Sequence, residues 1–159
     1  MPVSKNNPRK KAPVRDSDSG EKTKAVGNSK RGNLYVSYSA VDKMALAKKG
    51  VSKKQLNDIK DEASLDYDQL SKILATSRSS LISKKGTAKF NQDTSERILL
   101  LQDVITYGRE VFGDKDVLNE WLKTPSEALG NVTPLSLMDT FYGIDEVKKE
   151  LGRIAHGVY

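Results

Sequence analysis

Residues 67–84 read YDQLSKILATSRSSLISK. Leu70 and Leu74 lie one helical turn apart, Ala75, Thr76 and Ser77 interrupt the pattern, and Leu81 resumes it. Ser is a strong N-cap residue, so the spacing predicts a helix, a tight turn and a second helix capped by Ser77. That is the arrangement of a helix-turn-helix. Leu70, Leu74, Thr76 and Leu81 occupy positions that can pack the pair together. Ser77, Arg78, Ser79, Ser80 and Lys84 are then the outward, DNA-facing candidates. Arg can grip a guanine edge through two donors, while Ser and Lys hold phosphates. Some positions depart from the usual pattern: Ala75 in place of a turn Gly, Ser71 in place of a small core Ala, and Tyr67 where Gln is common. The residues leave two readings open, a DNA-reading pair and a helical pair that never meets DNA.

Helical signals continue on both sides. Ser39 with Asp42, Ser52 with Gln55, and Asp66 with Gln69 have the spacing of capping boxes. Gly50 is placed to end the first of these helices, and Leu56, Ile59 and Ala63 form the apolar stripe of the second. Residues 84–92 (KKGTAKFNQ) form a polar connector. Asp93 and Glu96 are expected to open the longest helix, which Gly113 ends. It carries two apolar stripes, Ile98, Leu101 and Ile105 on one and Leu100, Val104, Tyr107 and Val111 on the other, so it should be buried on two sides.

Beyond it the pattern predicts a helix from Asp114 to Leu122, a cap at Thr124–Pro125 and another at Thr133–Pro134. Gly143 is expected to break the chain before a last helix carrying Ile144, Val147, Leu151 and Ile154. Trp121 has two readings, a core residue beside Leu118 and Leu122 or an exposed binding hot spot. No segment alternates apolar and polar residues long enough for a strand, so the fold class is all-α apart from short pairs.

The 159 residues carry 27 Lys and Arg against 21 Asp and Glu, a net charge of +6. Residues 1–33 hold nine basic and three acidic groups, residues 34–90 eleven and six, and residues 91–159 seven and twelve. The chain is therefore basic, basic and acidic in order. Residues 1–33 contain no aromatic residue and are rich in Pro, Gly, Ser, Asn and Lys, which predicts a disordered basic tail. Such a tail reads either as an arm touching nucleic acid or as a solvated extension. The expected division is 1–33 tail, 34–92 helix-turn-helix unit and 93–159 second helical unit.

Several chemistries are excluded or weakened. There is no Cys and a single His, His156, which rules out disulfides, thiol catalysis and a multi-histidine metal site within one chain. Gly108, Gly113, Asp114 and Lys115 have part of a phosphate-loop spacing but lack the Lys-Ser/Thr ending and the preceding strand. No apolar run approaches the ~18 residues of a membrane span, and the N-terminus lacks a signal-peptide core, so a cytoplasmic protein is expected. No catalytic arrangement, cofactor or metal is indicated.

The last third carries a more specific series. Phe112, Gly113 and Asp114 are followed by Trp121, Leu122, Thr124 and Pro125, then Ala128, Leu129 and Gly130. Thr133, Pro134 and Leu135 follow, then Asp139, Thr140, Gly143 and Val147, and the chain closes on LGRIAHGVY, residues 151–159. From about Gly50 onward the sequence resembles the Xre/MbcA/ParS toxin-binding-domain antitoxins, including the runs SRSSL at 77–81 and SERIL at 95–99. Asn131 departs from it, standing where the family usually has a second Gly.

The resemblance implies the antitoxin of a bacterial type II toxin–antitoxin pair. It implies a lambda-repressor-like N-terminal module that forms a homodimer and binds operator DNA, so that the operon represses itself. It also implies a small C-terminal domain that blocks a RES-domain toxin. Such toxins consume NAD or transfer ADP-ribose, so NAD is the toxin's substrate and no cofactor of this chain. Arg153, His156, Val158 and Tyr159 are the expected toxin-binding residues, because the family's C-terminal region covers the toxin's cleft. Tyr159 folded back onto Trp121 or Phe141 is the competing reading. The alternatives at the level of function are a DNA-binding regulator with no toxin partner and a toxin-binding antitoxin that has lost DNA binding.

Overall fold

In the computed structural model, residues 38–157 are described. The expected basic tail, Val158 and Tyr159 lie outside them. The chain folds as α1 (Ala40–Lys49), α2 (Lys53–Glu62), α3 (Tyr67–Ile73), α4 (Arg78–Ser83), α5 (Gln92–Phe112), α6 (Lys115–Lys123), a 3₁₀ turn at Glu127–Leu129, α7 (Pro134–Leu137) and α8 (Phe141–Ala155). Among the described residues the fold is all-α, with isolated bridges pairing Ser52 with Lys89 and Ser126 with Val132.

Side-chain caps fix most helix starts. The capping boxes at Ser52–Gln55 and Asp66–Gln69 form in full, each satisfying donors that a helix start leaves open. Ser39 and Ser77 cap α1 and α4. Asp114 caps α6 by accepting from the N–H groups of Asp116 and Val117. Those bonds hold the Asp114 carboxyl below the usual carboxylate range. The cap is therefore complete above the ordinary carboxylate pKa and is lost as pH falls through the depressed one.

Three expectations are corrected. The long helix starts at Gln92, capped by Asn91, whose side-chain Oδ1 accepts from Thr94 N–H; the better cap lies two residues before Asp93. Thr124 ends α6 instead of opening a helix, and Pro125 leads into a turn held by the Ser126–Val132 bridge. Gly143 does not break the chain. It sits inside the first turn of α8, with its N–H donated to the Thr140 hydroxyl.

α5 organises the core. It packs against α1 and α2 before it and against α6 and α8 after it. Ile98, Leu101, Val104 and Ile105 are buried, joined by Leu56, Ile59, Leu70, Leu74 and Leu81 from the preceding helices. Leu118, Leu122, Met138, Ile144, Val147 and Leu151 complete the core from the following ones. The second stripe is shallower, with Leu100, Tyr107 and Val111 half-buried. Gly108, which has no phosphate-loop role here, lies inside α5, where Leu118 packs on its bare backbone; a Cβ there would stand 2.5 Å from a Leu118 methyl. Further ties join α6 to the α2–α3 turn: Asn119 donates to the Glu62 carbonyl, and Lys123 to the Ser64 carbonyl.

Trp121 is half-buried, its ring 5.5 Å from that of Phe112 and tilted by 45°. It packs on Phe112 without being fully buried. Denaturant unfolding should therefore rank the α6 residues. Leu118→Ala is expected to cost about 2–5 kcal/mol, because it empties a fully buried site. Trp121→Ala should cost less, about 2 kcal/mol, from partial burial and one ring pair. Equal costs would mean that Trp121 is buried as deeply as Leu118.

Candidate functional site

The turn between α3 and α4 is a Schellman motif. Thr76 N–H donates to the Ser71 carbonyl at 3.0 Å and Ala75 N–H to the Lys72 carbonyl at 3.1 Å. Ala75 takes φ 47°, the left-handed conformation that a Gly would adopt more cheaply. The departure from Gly therefore leaves the turn intact. Leu70, Leu74 and Leu81 are buried and Thr76 half-buried, as the pattern requires.

Four of the five DNA-facing candidates come together on one exposed edge. Ser77, Arg78, Ser79 and Ser80 are all exposed at the start of α4. The Ser77 hydroxyl accepts from Ser80 N–H and lies 3.1 Å from the Ser79 hydroxyl. Arg78 is not free: its Nη1 donates to both Asp68 oxygens, at 3.0 and 3.1 Å. Lys84, the fifth, is the half-buried residue ending α4, with its ammonium 5.4 Å from the Phe90 ring centre. The apolar stem and the ring attraction draw it back toward the connector.

The second surface is the solvent side of α8. Tyr142, Asp145, Glu146, Lys149, Arg153 and His156 recur at helical spacing and form one ridge, spanning about 21 Å from Tyr142 to His156. Lys149 bridges Asp145 and Glu146 at 2.8 Å each, which raises its pKa above the usual lysine value. Arg153 pairs with Glu150 in the turn below. His156 caps the end of α8 and is exposed. Arg153 and His156 thus share one face, while Val158 and Tyr159 lie outside the described residues.

Sequence reasoning missed Tyr142, which is 88% exposed. The signal was present: it falls on the polar side of the α8 stripe. Arg97 was also missed. It donates from Nη1 to the Ile73 carbonyl and the Asp139 carbonyl, each at 3.2 Å, and its guanidinium stands 4.6 Å from the Phe141 ring centre. It ties the end of α3 to the start of α8. Asn131 takes φ 60°, a left-handed conformation that Asn adopts more readily than most residues with a side chain. Among the described residues no helix is long and apolar enough to cross a membrane, and no acidic, His or Cys cluster could hold a metal.

Comparison with known proteins matches two domains along the chain. Residues 42–103 match the antitoxin Xre-like helix-turn-helix domain, and residues 108–157 match the antitoxin Xre/MbcA/ParS C-terminal toxin-binding domain. The Prs ADP-ribosylating antitoxin of Sphingobium is 30% identical over 133 residues, 76% of this chain and 82% of that protein. The chain belongs to the Xre/MbcA/ParS antitoxin family. Two proteins named Antitoxin Xre are also similar to this chain. That of Photorhabdus laumondii is 42% identical over 74 residues, 46% of this chain and 50% of its own length. That of Yersinia enterocolitica is 38% identical over 72 residues, 45% and 49% respectively. The chain thus spans about half the length of these two relatives. The α3–α4 pair lies within the matched helix-turn-helix domain and the α8 ridge within the matched toxin-binding domain.

Proposed function

We propose that this chain is a non-enzymatic, cytoplasmic antitoxin that neutralises a RES-type toxin through residues 93–159 and represses its own operon through a homodimer of residues 34–92. The observation that carries the reading is the pairing, in one chain, of an exposed helix-turn-helix edge with a toxin-binding-domain match ending in an exposed helical ridge. On this reading Arg153 and His156, together with Val158 and Tyr159, contact the toxin, and Tyr142 extends that contact to the other end of α8. The name of the Sphingobium relative, an ADP-ribosylating antitoxin, supports a toxin chemistry in which NAD or ADP-ribose is consumed. Co-expression with the protein encoded by the neighbouring reading frame tests the pairing. Growth rescue by this chain supports it, and persistent toxicity overturns it.

One observation favours the alternative in which DNA binding has been lost: the Asp68 carboxylate already holds Arg78. Substitution separates the two. If Arg78 leaves Asp68 to read a base, Arg78→Ala should weaken promoter binding by about 1–3 kcal/mol. Asp68→Asn, which frees the guanidinium and removes a negative charge, should then strengthen it. Fluorescence anisotropy with a promoter duplex and a scrambled duplex reads both. No preference for the promoter duplex in the unaltered protein would leave toxin binding as the sole function.

A further inference from the structure

Lys53, the first residue of α2, is only 5% exposed. No salt bridge among the described residues pairs it with a carboxylate. Instead its ammonium donates to the Tyr67 hydroxyl and to the Leu81 carbonyl, both at 2.8 Å, and stands 4.3 Å from the Tyr67 ring centre. Tyr67 in turn donates to Asn57 Oδ1 at 3.4 Å. A buried ammonium is costly unless its donors are met, and an apolar side chain of the same length fills such a space more cheaply. The lysine must therefore be read by what its donors hold.

What they hold is α4. That helix has six residues, Arg78–Ser83, too short to be stable by itself. Its start is fastened by the Ser77 cap and its middle by the buried Leu81 side chain. Its end lacks a backbone cap bond: Lys84 is extended there, at φ −72° and ψ 141°. The last carbonyls of a helix have no partner within it. Lys53 supplies one to the Leu81 carbonyl, with a positive charge where the helix end is negative. The backbone of the same residue adds to this, since Lys53 N–H donates at 2.9 Å to the Ala88 carbonyl in the connector that leaves α4.

We propose that Lys53 is the positioning residue of α4: its buried ammonium fixes the end of the helix, and so the tilt and roll at which Arg78, Ser79 and Ser80 meet DNA. The inference rests on α4 being the DNA-facing helix. Lys53 itself touches no DNA; it acts through the Leu81 carbonyl.

The test uses the full chain with Lys53→Met and Tyr67→Phe. Lys53→Met removes the donor while keeping the length and apolar bulk. Tyr67→Phe keeps the ring and the Leu81 bond. Amide hydrogen exchange of residues 81–85 and the preference for a promoter duplex over a scrambled one are measured for each. Lys53→Met should speed exchange in that segment and lower the duplex preference by about tenfold each, the effect of one lost charge-assisted hydrogen bond. Toxin binding should hold, and Tyr67→Phe should stay close to the unaltered protein in both readings. Unchanged exchange in Lys53→Met overturns the proposal whether or not any duplex is bound. If the unaltered protein prefers no duplex, the DNA reading fails, and exchange still decides the role of Lys53. Should Lys53→Met not fold, the side-chain ammonium signal of the unaltered protein decides. Slowly exchanging Nζ protons coupled to the Leu81 carbonyl carbon support the proposal, and rapid exchange with water overturns it.

Discussion

Removal of residues 155–159 should abolish toxin neutralisation and leave the melting temperature nearly unchanged. Ala155, His156 and Gly157 are exposed, and the last buried residue before them is Leu151. Among the described residues the truncation removes the last residue of α8 and the helix-end bonds from His156 N–H to the Gly152 carbonyl and from Gly157 N–H to the Ile154 carbonyl. Bonds at a frayed helix end contribute little to global stability. Trp121 and Phe141, the competing seat for Tyr159, pack on Phe112 and Arg97 respectively. The effect on the toxin should be large, because the truncation takes away His156 at one end of the ridge together with Val158 and Tyr159, three of the four proposed toxin contacts. Growth rescue of toxin-expressing cells, scored beside thermal melting, checks both halves. Full rescue by the truncated chain would move the blocking element elsewhere on α8, with Tyr142 the next residue to replace.

Gly143→Ala should be the most damaging Gly→Ala substitution among the described residues. A Cβ at Gly143 would lie 1.8 Å from the Leu137 carbonyl oxygen and 2.6 Å from its carbon. Those are backbone atoms, so no rotamer change relieves the clash. The junction between α7 and α8 must open, and with it the seat of Met138 and Ile144, both buried. Overpacking commonly costs about 1–3 kcal/mol, and a backbone clash belongs at or above the upper end. Gly113→Ala is the control. Its Cβ meets nothing within 4 Å, so only the left-handed φ of 70° is strained, at about 1–2 kcal/mol. Urea unfolding of the two variants gives the comparison. A smaller loss for Gly143→Ala than for Gly113→Ala would show that the junction yields easily.

The parts of this protein legible in its sequence are those governed by local chemistry. Ser52, Asp66, Ser77 and Thr133 announce helix starts because a side-chain oxygen and a nearby backbone N–H suffice to make a cap. The four exposed α4 candidates are legible for the same reason. Thr124–Pro125 failed because the same residue pair also suits a chain leaving a helix, and only the pairing of Ser126 with Val132 decides between them. Gly143 was misread because a close approach and a chain break call for the same residue. Lys84 and Lys53 were illegible for a different reason. One is drawn to Phe90 and the other to Leu81, contacts 6 and 28 positions away that no local pattern reports. The resemblance identified the family, yet it could not show that Asp68 holds Arg78.

The 21 residues of α5 form an uninterrupted rod of about 31 Å that belongs to both halves of the molecule. The two matched family domains meet inside it, at residues 103 and 108, with no loop between them. Inserting one residue at that seam would rotate everything after it by about 100° and push it forward by about 1.5 Å. Arg97 would still grip Ile73 but lose Asp139. A chimera joined to a relative's domain at this seam must therefore preserve the helical phase. A single inserted codon keeps the reading frame and still breaks the helical phase, so the rod sets the stricter of the two constraints.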